Sequence, residues 1–104
     1  MTRKESLAEL IAKVEAGDRS ASLRNTPLKG YGGYYEGCLN GSLDAAKALH
    51  EAVLPRHYAQ VHMWPIPEMC RVDIGGGHTG RDDNPARAWL LAILRALHSM
   101  EAES

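Results

Sequence analysis

Residues 84–100 read NPARAWLLAILRALHSM and give the clearest structural signal in the chain. Asn84 is a favoured N-cap residue, and Pro85 suits the first turn of a helix. The apolar residues that follow recur every three or four positions, as on one face of a helix. They are Trp89, Leu90, Ile93, Leu97 and Met100. We therefore predict a long amphipathic helix whose apolar face is wide enough to cover a sheet.

Two more helices are predicted upstream of this segment. Thr2 begins a capping-box pattern, and apolar residues at helical spacing follow it, which predicts a first helix over residues 3–16. Gly17 suits the left-handed conformation that ends many helices. Ser42 is an N-cap residue for a second helix over residues 43–54.

Between these helices and the last one, two segments alternate apolar and polar residues and predict strands. The first covers residues 58–64 and the second covers residues 70–74, where Cys70, Val72 and Ile74 alternate with polar residues. The connection between the segments is short and contains two prolines. A short, stiff connection favours an antiparallel hairpin.

Residues 18–41 lack both helical and strand periodicity and are rich in glycine and tyrosine. This composition predicts a long surface loop, and loops of this length in small domains are commonly functional. A two-stranded hairpin has exposed edges that need a neighbour. Either residues 31–39 contribute a further strand, or a second copy of the protein completes the layer, and we favour a homo-oligomer.

The length of 104 residues corresponds to one domain, so we predict a single α+β domain over residues 1–104. Its expected architecture is a small antiparallel sheet, with at least one hairpin, layered between helices. The composition is 44% hydrophobic and 24% charged, which is typical of globular proteins and excludes a disordered chain.

The formal net charge of -1 leaves no field over the whole molecule that would attract nucleic acid or an anionic membrane. Neither is therefore expected as a partner, and any anion binding must be local. The two cysteines have no CxxC spacing, and the charged N-terminus lacks the apolar segment of a signal peptide. These features favour a cytoplasmic location.

Several short segments resemble small phage and prophage proteins of the phage ABA-sandwich domain family, over residues 42–97. They are SLDAA at 42–46, VLP at 53–55, WP at 64–65, NPARA at 84–88 and LRAL at 94–97. The resemblance implies a sheet between helical layers, a phage origin and the cytoplasm of a bacterial host. It also implies an accessory role, such as inhibition of host antiviral defence, and it implies no catalytic residue.

The glycine-rich segment over residues 75–81 follows a strand and precedes a helix, a layout that can present backbone N–H groups to a phosphate. His78 and Arg81 are candidate anion contacts within it. The segment lacks the Lys and Ser or Thr of a P-loop, and the charges of Asp82 and Asp83 would repel phosphate. The alternative interpretation is a flexible turn whose aspartates favour the helix N-terminus.

Three tyrosines of the long loop, Tyr31, Tyr34 and Tyr35, lie near Arg24 and Lys29 in the sequence. This combination is suited to stacking a base and pairing a phosphate. It is equally suited to a protein interface, where Tyr and Arg are favoured anchors. The tyrosines can also simply close the core beneath the loop. The sequence leaves these three alternatives open.

No catalytic, metal or cofactor site is predicted, because the five histidines show no ligand spacing and no nucleophile motif is present. We expect a non-catalytic protein that binds a host component. It would either sequester a nucleotide signal or capture a defence protein such as a CRISPR effector. The alternatives are a small hydrolase or transferase that uses His78 or Cys38, and a purely structural phage oligomer.

Overall fold

Three helices, three strands and a last helix follow one another in the computed structural model, which describes residues 2–18, 22–62, 70–75 and 77–101. The helices are α1 (Arg3–Glu15), α2 (Gly32–Leu39), α3 (Leu43–Val53) and α4 (Pro85–Met100), and the strands are β1 (Ala59–His62), β2 (Cys70–Ile74) and β3 (His78–Asp82). Both neighbouring strand pairs are antiparallel, in the order β1-β2-β3. The predicted class, an α+β domain with a small antiparallel sheet layered with helices, is confirmed.

The predicted helix caps are present. The Thr2 hydroxyl accepts a hydrogen bond from the Glu5 backbone N–H at 3.1 Å, and the Glu5 carboxylate accepts one from the Thr2 backbone N–H, which completes the capping box. The Ser42 hydroxyl accepts from the Ala45 N–H at the start of α3. The Asn84 side chain accepts from two N–H groups in the first turn of α4. Each cap satisfies backbone donors that have no partner within the helix.

Helix α4 lies at the centre of the domain, where it packs on β2 and β3 and also contacts α1, α2 and α3. The inner face of β2 consists of Cys70, Val72 and Ile74, which are all buried as the alternating pattern predicts. Met100, predicted to lie on the apolar face of this helix, is 57% exposed. That prediction is wrong because Met100 occupies the last position of α4, where the helix no longer covers the sheet.

The prediction of a continuous loop over residues 18–41 is wrong, and so is the alternative of a strand over residues 31–39. Helix α2 occupies residues 32–39. Its buried residues Tyr35, Cys38 and Leu39 have helical spacing. The glycines concealed this signal because glycine is a poor helix former. Tertiary packing overrides that preference here, since a Cβ on Gly37 would lie 2.5 Å from the Cβ of Ala45 in α3.

The glycine-rich segment after β2 is likewise more ordered than predicted. Residues 78–82 form β3 and pair with β2, so their backbone is part of the sheet and does not form a phosphate-binding loop. Gly80 is buried, and a Cβ there would overlap the backbone carbonyl of Ala88 and lie 2.5 Å from the Ala92 nitrogen. Glycine is therefore required at this position because the backbones of β3 and α4 approach each other so closely.

The predicted hairpin is confirmed where it is described. Residues 59–62 pair with residues 71–74 in antiparallel register. The proline-containing connection and Trp64 lie outside the described residues. Among the described helices, none combines the length and apolar character that a membrane crossing requires.

His50 is a buried polar residue whose hydrogen bonds join three elements of the domain. Its Nδ1 accepts a hydrogen bond from Trp89 Nε1 at 3.2 Å, so its Nε2 carries the proton and donates to the His57 carbonyl at 2.6 Å. The side chain is 6% exposed and links α4 to the segment after α3. This histidine has a structural role, because both ring nitrogens have partners.

We expect His50→Phe to lower the free energy of unfolding by about 2 kcal/mol, because the Trp89 N–H and the His57 carbonyl would both lose their partner in the interior. Urea unfolding followed by circular dichroism measures this difference. His98→Phe, a change of a half-buried histidine on α4, serves as the control. Equal stability of His50→Phe and the parent protein would show that these hydrogen bonds contribute nothing to stability.

Candidate functional site

The seven residues predicted from the sequence lie on separate parts of the molecule rather than in one pocket. Tyr31 and Tyr34 lie at the start of α2, Tyr35 is in the core, and His78 and Arg81 belong to β3. The remaining two, Arg24 and Lys29, are exposed in the segment between α1 and α2. A single chain therefore does not assemble all of them around one ligand.

Tyr34 is exposed and stacks on Tyr31, which is partly buried against the core. Their ring centroids are 6.2 Å apart with an interplanar angle of 12°. Tyr34 is 43% exposed, and both rings line a shallow depression of about 310 Å³ together with Gly30 and Gly33. The spacing between the rings leaves no room for a nucleobase between them, so a ligand can contact only the outer side of the pair. We call Gly30, Tyr31, Gly33 and Tyr34 the tyrosine surface.

Tyr35 belongs to the core and is 2% exposed. Burial raises the pKa of Tyr35 to about 12, and the nearby Glu36 carboxylate adds to this effect. Among the described residues its hydroxyl has no hydrogen-bond partner. Of the three alternatives for the tyrosines, closure of the core therefore describes Tyr35 and, in part, Tyr31, which packs against the core. The surface roles remain open for Tyr34 and for the accessible part of Tyr31.

Arg24 lines a different groove, of about 320 Å³, between α1 and the segment that precedes α2. The lining residues are Ser6, Glu9, Leu10, Lys13, Ser22, Arg24 and Asn25. Lys13 is already paired with Glu9 at 3.5 Å. The groove therefore carries charges of both signs and does not have the uniformly positive character that a phosphate site needs.

The N-terminus of α4 is occupied by side chains of the protein itself. The Asp82 carboxylate accepts from the Asn84 N–H at 2.9 Å and from Arg87 Nε at 3.2 Å, and Asp83 pairs with Arg87 Nη2 at 3.1 Å. Burial raises the pKa of Asp82, and a hydrogen bond between the two carboxyl groups lowers that of Asp83. These aspartates stabilise the start of α4, as the alternative interpretation of the glycine-rich segment predicts.

The outer face of the sheet, opposite α4, carries a polar cluster that the sequence analysis missed. Asp73 lies at its centre and accepts a hydrogen bond from the Thr79 hydroxyl at 2.9 Å. Its Oδ2 lies 3.2 Å from both His62 Nε2 and Arg71 Nε. The three charged or ionisable side chains remain about one third exposed to solvent. Together with Arg81 they form what we call the sheet-face cluster.

The register of the sheet places two arginines of this cluster directly opposite each other. Arg71 is the cross-strand partner of Arg81 on one side and of His62 on the other. Arg81 is exposed, and no carboxylate of the described residues is paired with it. The alternation of Arg71 and Asp73 with buried neighbours marked both as outward-facing. Their relation to Arg81 could not be found, because residues 78–82 were not predicted to be a strand.

Cys38 and His78 are the residues on which an enzymatic role would depend. Cys38 is fully buried, and burial raises the pKa of its thiol to about 12, so the thiol is protonated and shielded from solvent at neutral pH. His78 begins β3 and is half-buried. The described part of the chain contains no group of three His, Cys, Asp or Glu side chains arranged to hold a metal ion.

Comparison of this chain with protein-family models, with curated proteins and with solved structures gave no match. No enzyme family is therefore indicated, and the phage family resemblance stays an expectation. The features that bear on function are therefore the tyrosine surface and the sheet-face cluster.

Proposed function

We propose that this protein is a non-catalytic accessory protein that captures a host protein through the tyrosine surface. The observation that supports this best is the exposed ring of Tyr34 stacked on the partly buried ring of Tyr31. Rigid aromatic side chains of this kind are favoured at the centre of protein interfaces, because they bury a large area and lose little conformational entropy.

Three further observations support a protein partner. The tyrosine surface is shallow, as interfaces are, and its two rings leave no slot for a base. The positive side chains predicted to complete a nucleotide pocket, Arg24 and Arg81, lie in another groove and on the sheet. The phage resemblance then suggests the class of partner, a bacterial antiviral defence protein such as a CRISPR effector, met in the host cytoplasm.

Replacing both surface tyrosines by alanine is expected to weaken capture about 30-fold, because truncation of a central aromatic residue typically removes 2 kcal/mol or more. The measurement has two steps. The protein is expressed in bacteria that carry individual defence systems, including a CRISPR effector, and phage plating is scored. The effector whose activity is blocked is then purified, and its affinity is measured for the parent protein and for the double variant.

Tyr58→Ala is the matched control, because Tyr58 is 69% exposed but lies at the start of the sheet. It should leave both plating and affinity unchanged. If the double variant blocks the defence system as well as the parent protein does, while remaining folded, the tyrosine surface is not the binding site.

Sequestration of a nucleotide signal is the second candidate. The described residues support it only in an assembly, because one chain does not bring Arg24, Lys29, the tyrosines and Arg81 together. A homo-oligomer with pockets between copies would be needed. Native mass spectrometry of the protein purified from bacteria distinguishes the two: an oligomer that retains a nucleotide mass supports sequestration, and a species without adduct supports protein capture.

A further inference from the structure

We propose that the sheet-face cluster binds a small anion that carries phosphoryl groups, with Arg71 and Arg81 as its ligands and Asp73 as the residue that positions Arg71. This site is on the opposite side of the sheet from α4, and its residues are distinct from those of the tyrosine surface. The inference therefore stands independently of protein capture.

The geometry provides a row of two arginines and a histidine on an open face. His62, Arg71 and Arg81 are successive cross-strand neighbours on β1, β2 and β3. Neighbouring strands lie about 4.8 Å apart, so this row is about 10 Å long. Val72 and Gly80, the neighbours of Arg71 and Arg81 along the strands, are buried beneath α4. Successive side chains of a strand point to opposite faces, so the side chains of the row point away from α4.

The charge distribution indicates a binding role rather than a structural one. Arg71 and Arg81 are directly opposite each other, and like charges in such a pair destabilise a sheet. Asp73 is the one carboxylate on this face among the described residues, and it is shared with His62. Asp73 compensates Arg71 but no carboxylate of the described residues pairs with Arg81, and a local feature that opposes the stability of the fold is typical of functional sites.

Arg71 also has a donor that the described residues do not satisfy. Its Nε is buried and lies 3.2 Å from Asp73 Oδ2, but without the geometry of a hydrogen bond. The Asp73 carboxylate is itself fixed by the Thr79 hydroxyl. Asp73 thus holds the guanidinium of Arg71 in place by charge at the buried Nε, which leaves the two Nη groups for an incoming anion.

The number of donors selects the class of anion. Each guanidinium presents a fork that matches two oxygens of a carboxylate or a phosphate. Two forks side by side require more acceptor oxygens than one carboxylate has. A phosphoryl group offers three terminal oxygens and a charge close to -2, and a diphosphate offers more of both. The row therefore fits a phosphate or diphosphate group better than a carboxylate.

The test is an NMR titration of the full chain with inorganic pyrophosphate, at constant ionic strength maintained with sodium chloride. We expect saturable shifts of the amide signals of His62, Arg71 and Arg81. Arg71→Gln and Arg81→Gln should each weaken binding about tenfold, as expected for loss of a charge-assisted bidentate contact. Arg56→Gln, at an exposed arginine after α3, should bind like the parent protein.

A second readout separates ligand binding from a structural role of the arginine. Without anion, Arg81→Gln should unfold at a temperature a few degrees higher than the parent protein, because it removes the like-charge pair. Pyrophosphate should stabilise the parent protein and have a smaller effect on this variant. Non-saturable shifts, or equal affinity in both arginine variants and in Arg56→Gln, would overturn the proposal.

A titration with a nucleoside diphosphate identifies the source of the phosphoryl groups. Tighter binding than pyrophosphate, with additional shifts outside the row, would show that the ligand is a nucleotide. Equal affinity with the same shifts would show that the phosphoryl groups alone are recognised. In both cases, movement of the same three amide signals is required, and its absence counts against the site.

Discussion

Replacing Gly80 by alanine is expected to lower the free energy of unfolding by more than about 3 kcal/mol. A Cβ at this position would overlap the carbonyl oxygen of Ala88 and lie 2.5 Å from the nitrogen of Ala92. These are backbone atoms in the middle of α4, so they cannot turn away as a side chain can. To admit one methyl group, β3 and α4 would have to separate along the most extensive contact of the domain.

The expected cost is more than 3 kcal/mol, the upper end of the range for overpacked side chains, because a rigid backbone has to shift. Small domains are commonly stable by about 5–15 kcal/mol, so such a loss removes a large share of the stability of a marginal one. Circular dichroism and urea unfolding of Gly80→Ala and of the parent protein measure this directly.

Gly33→Ala is the matched control for this substitution. Gly33 also lies in a regular element, α2, but nothing lies within 4 Å of a Cβ built on it. Because alanine favours the helix over glycine, this variant should be more stable by about 0.5–1 kcal/mol. A Gly80→Ala protein that unfolds within 1 kcal/mol of the parent protein would show that β3 does not pack on α4 as described.

The contrast between these two glycines shows where sequence reasoning worked and where it failed. Helices α1, α3 and α4 were predicted with correct caps, because Thr2, Ser42 and Asn84 combine a local hydrogen-bonding role with an apolar periodicity. Such signals lie within a few residues of one another. A single sequence therefore contains the information needed to place the helix starts.

The glycines of α2 and β3 predict loops, because glycine is typical of turns. In the structure Gly37 and Gly80 instead occur where two elements approach too closely for a side chain. Such a requirement depends on a partner element far away in the sequence. The sheet-face cluster was missed for the same reason, because the opposition of Arg71 and Arg81 exists only once β3 is paired with β2.

The roles of the three tyrosines could be predicted only in part from the sequence. The sequence placed Tyr31, Tyr34 and Tyr35 together as candidates, and the structure separates them by burial. Tyr35 faces the core with Cys38 and Leu39, whereas Tyr34 points outward one residue earlier. Once α2 is known to be a helix, this difference follows from its periodicity.

Raising the pH from 8 to 11 is expected to lower the free energy of unfolding by about 4 kcal/mol through two buried groups, Cys38 and Tyr35. In the folded protein, burial raises the pKa of both to about 12, compared with ordinary values of 9.0 for the thiol and 10.0 for the phenol. The unfolded chain therefore loses these protons at lower pH than the folded protein does, and stability falls as the pH increases.

The pH window follows from these values. Below pH 9 both groups are protonated in both states and contribute no pH dependence. Between pH 9 and 10 the thiol alone contributes, at about 1.4 kcal/mol per pH unit. Above pH 10 the phenol adds a similar slope, and both slopes end near pH 12, where the folded groups ionise as well.

Urea unfolding at half-unit steps of pH, in the presence of a reductant, tests this dependence. Tyr35→Phe should lower the slope above pH 10 and should be as stable as the parent protein at pH 8 or more stable, because the hydroxyl it removes has no partner among the described residues. Cys38→Ala should remove the slope between pH 9 and 10. At pH 8 the difference in stability between Cys38→Ala and the parent protein arises only from the smaller side chain.

Tyr58→Phe is the control, because Tyr58 is 69% exposed and its phenol is in contact with solvent in both states. Its stability curve should run parallel to that of the parent protein at every pH. If Tyr35→Phe and Cys38→Ala also give parallel curves, neither group is buried as described. In that case the thiol would be accessible at neutral pH, and the enzymatic alternative that uses Cys38 would regain support over a purely binding role.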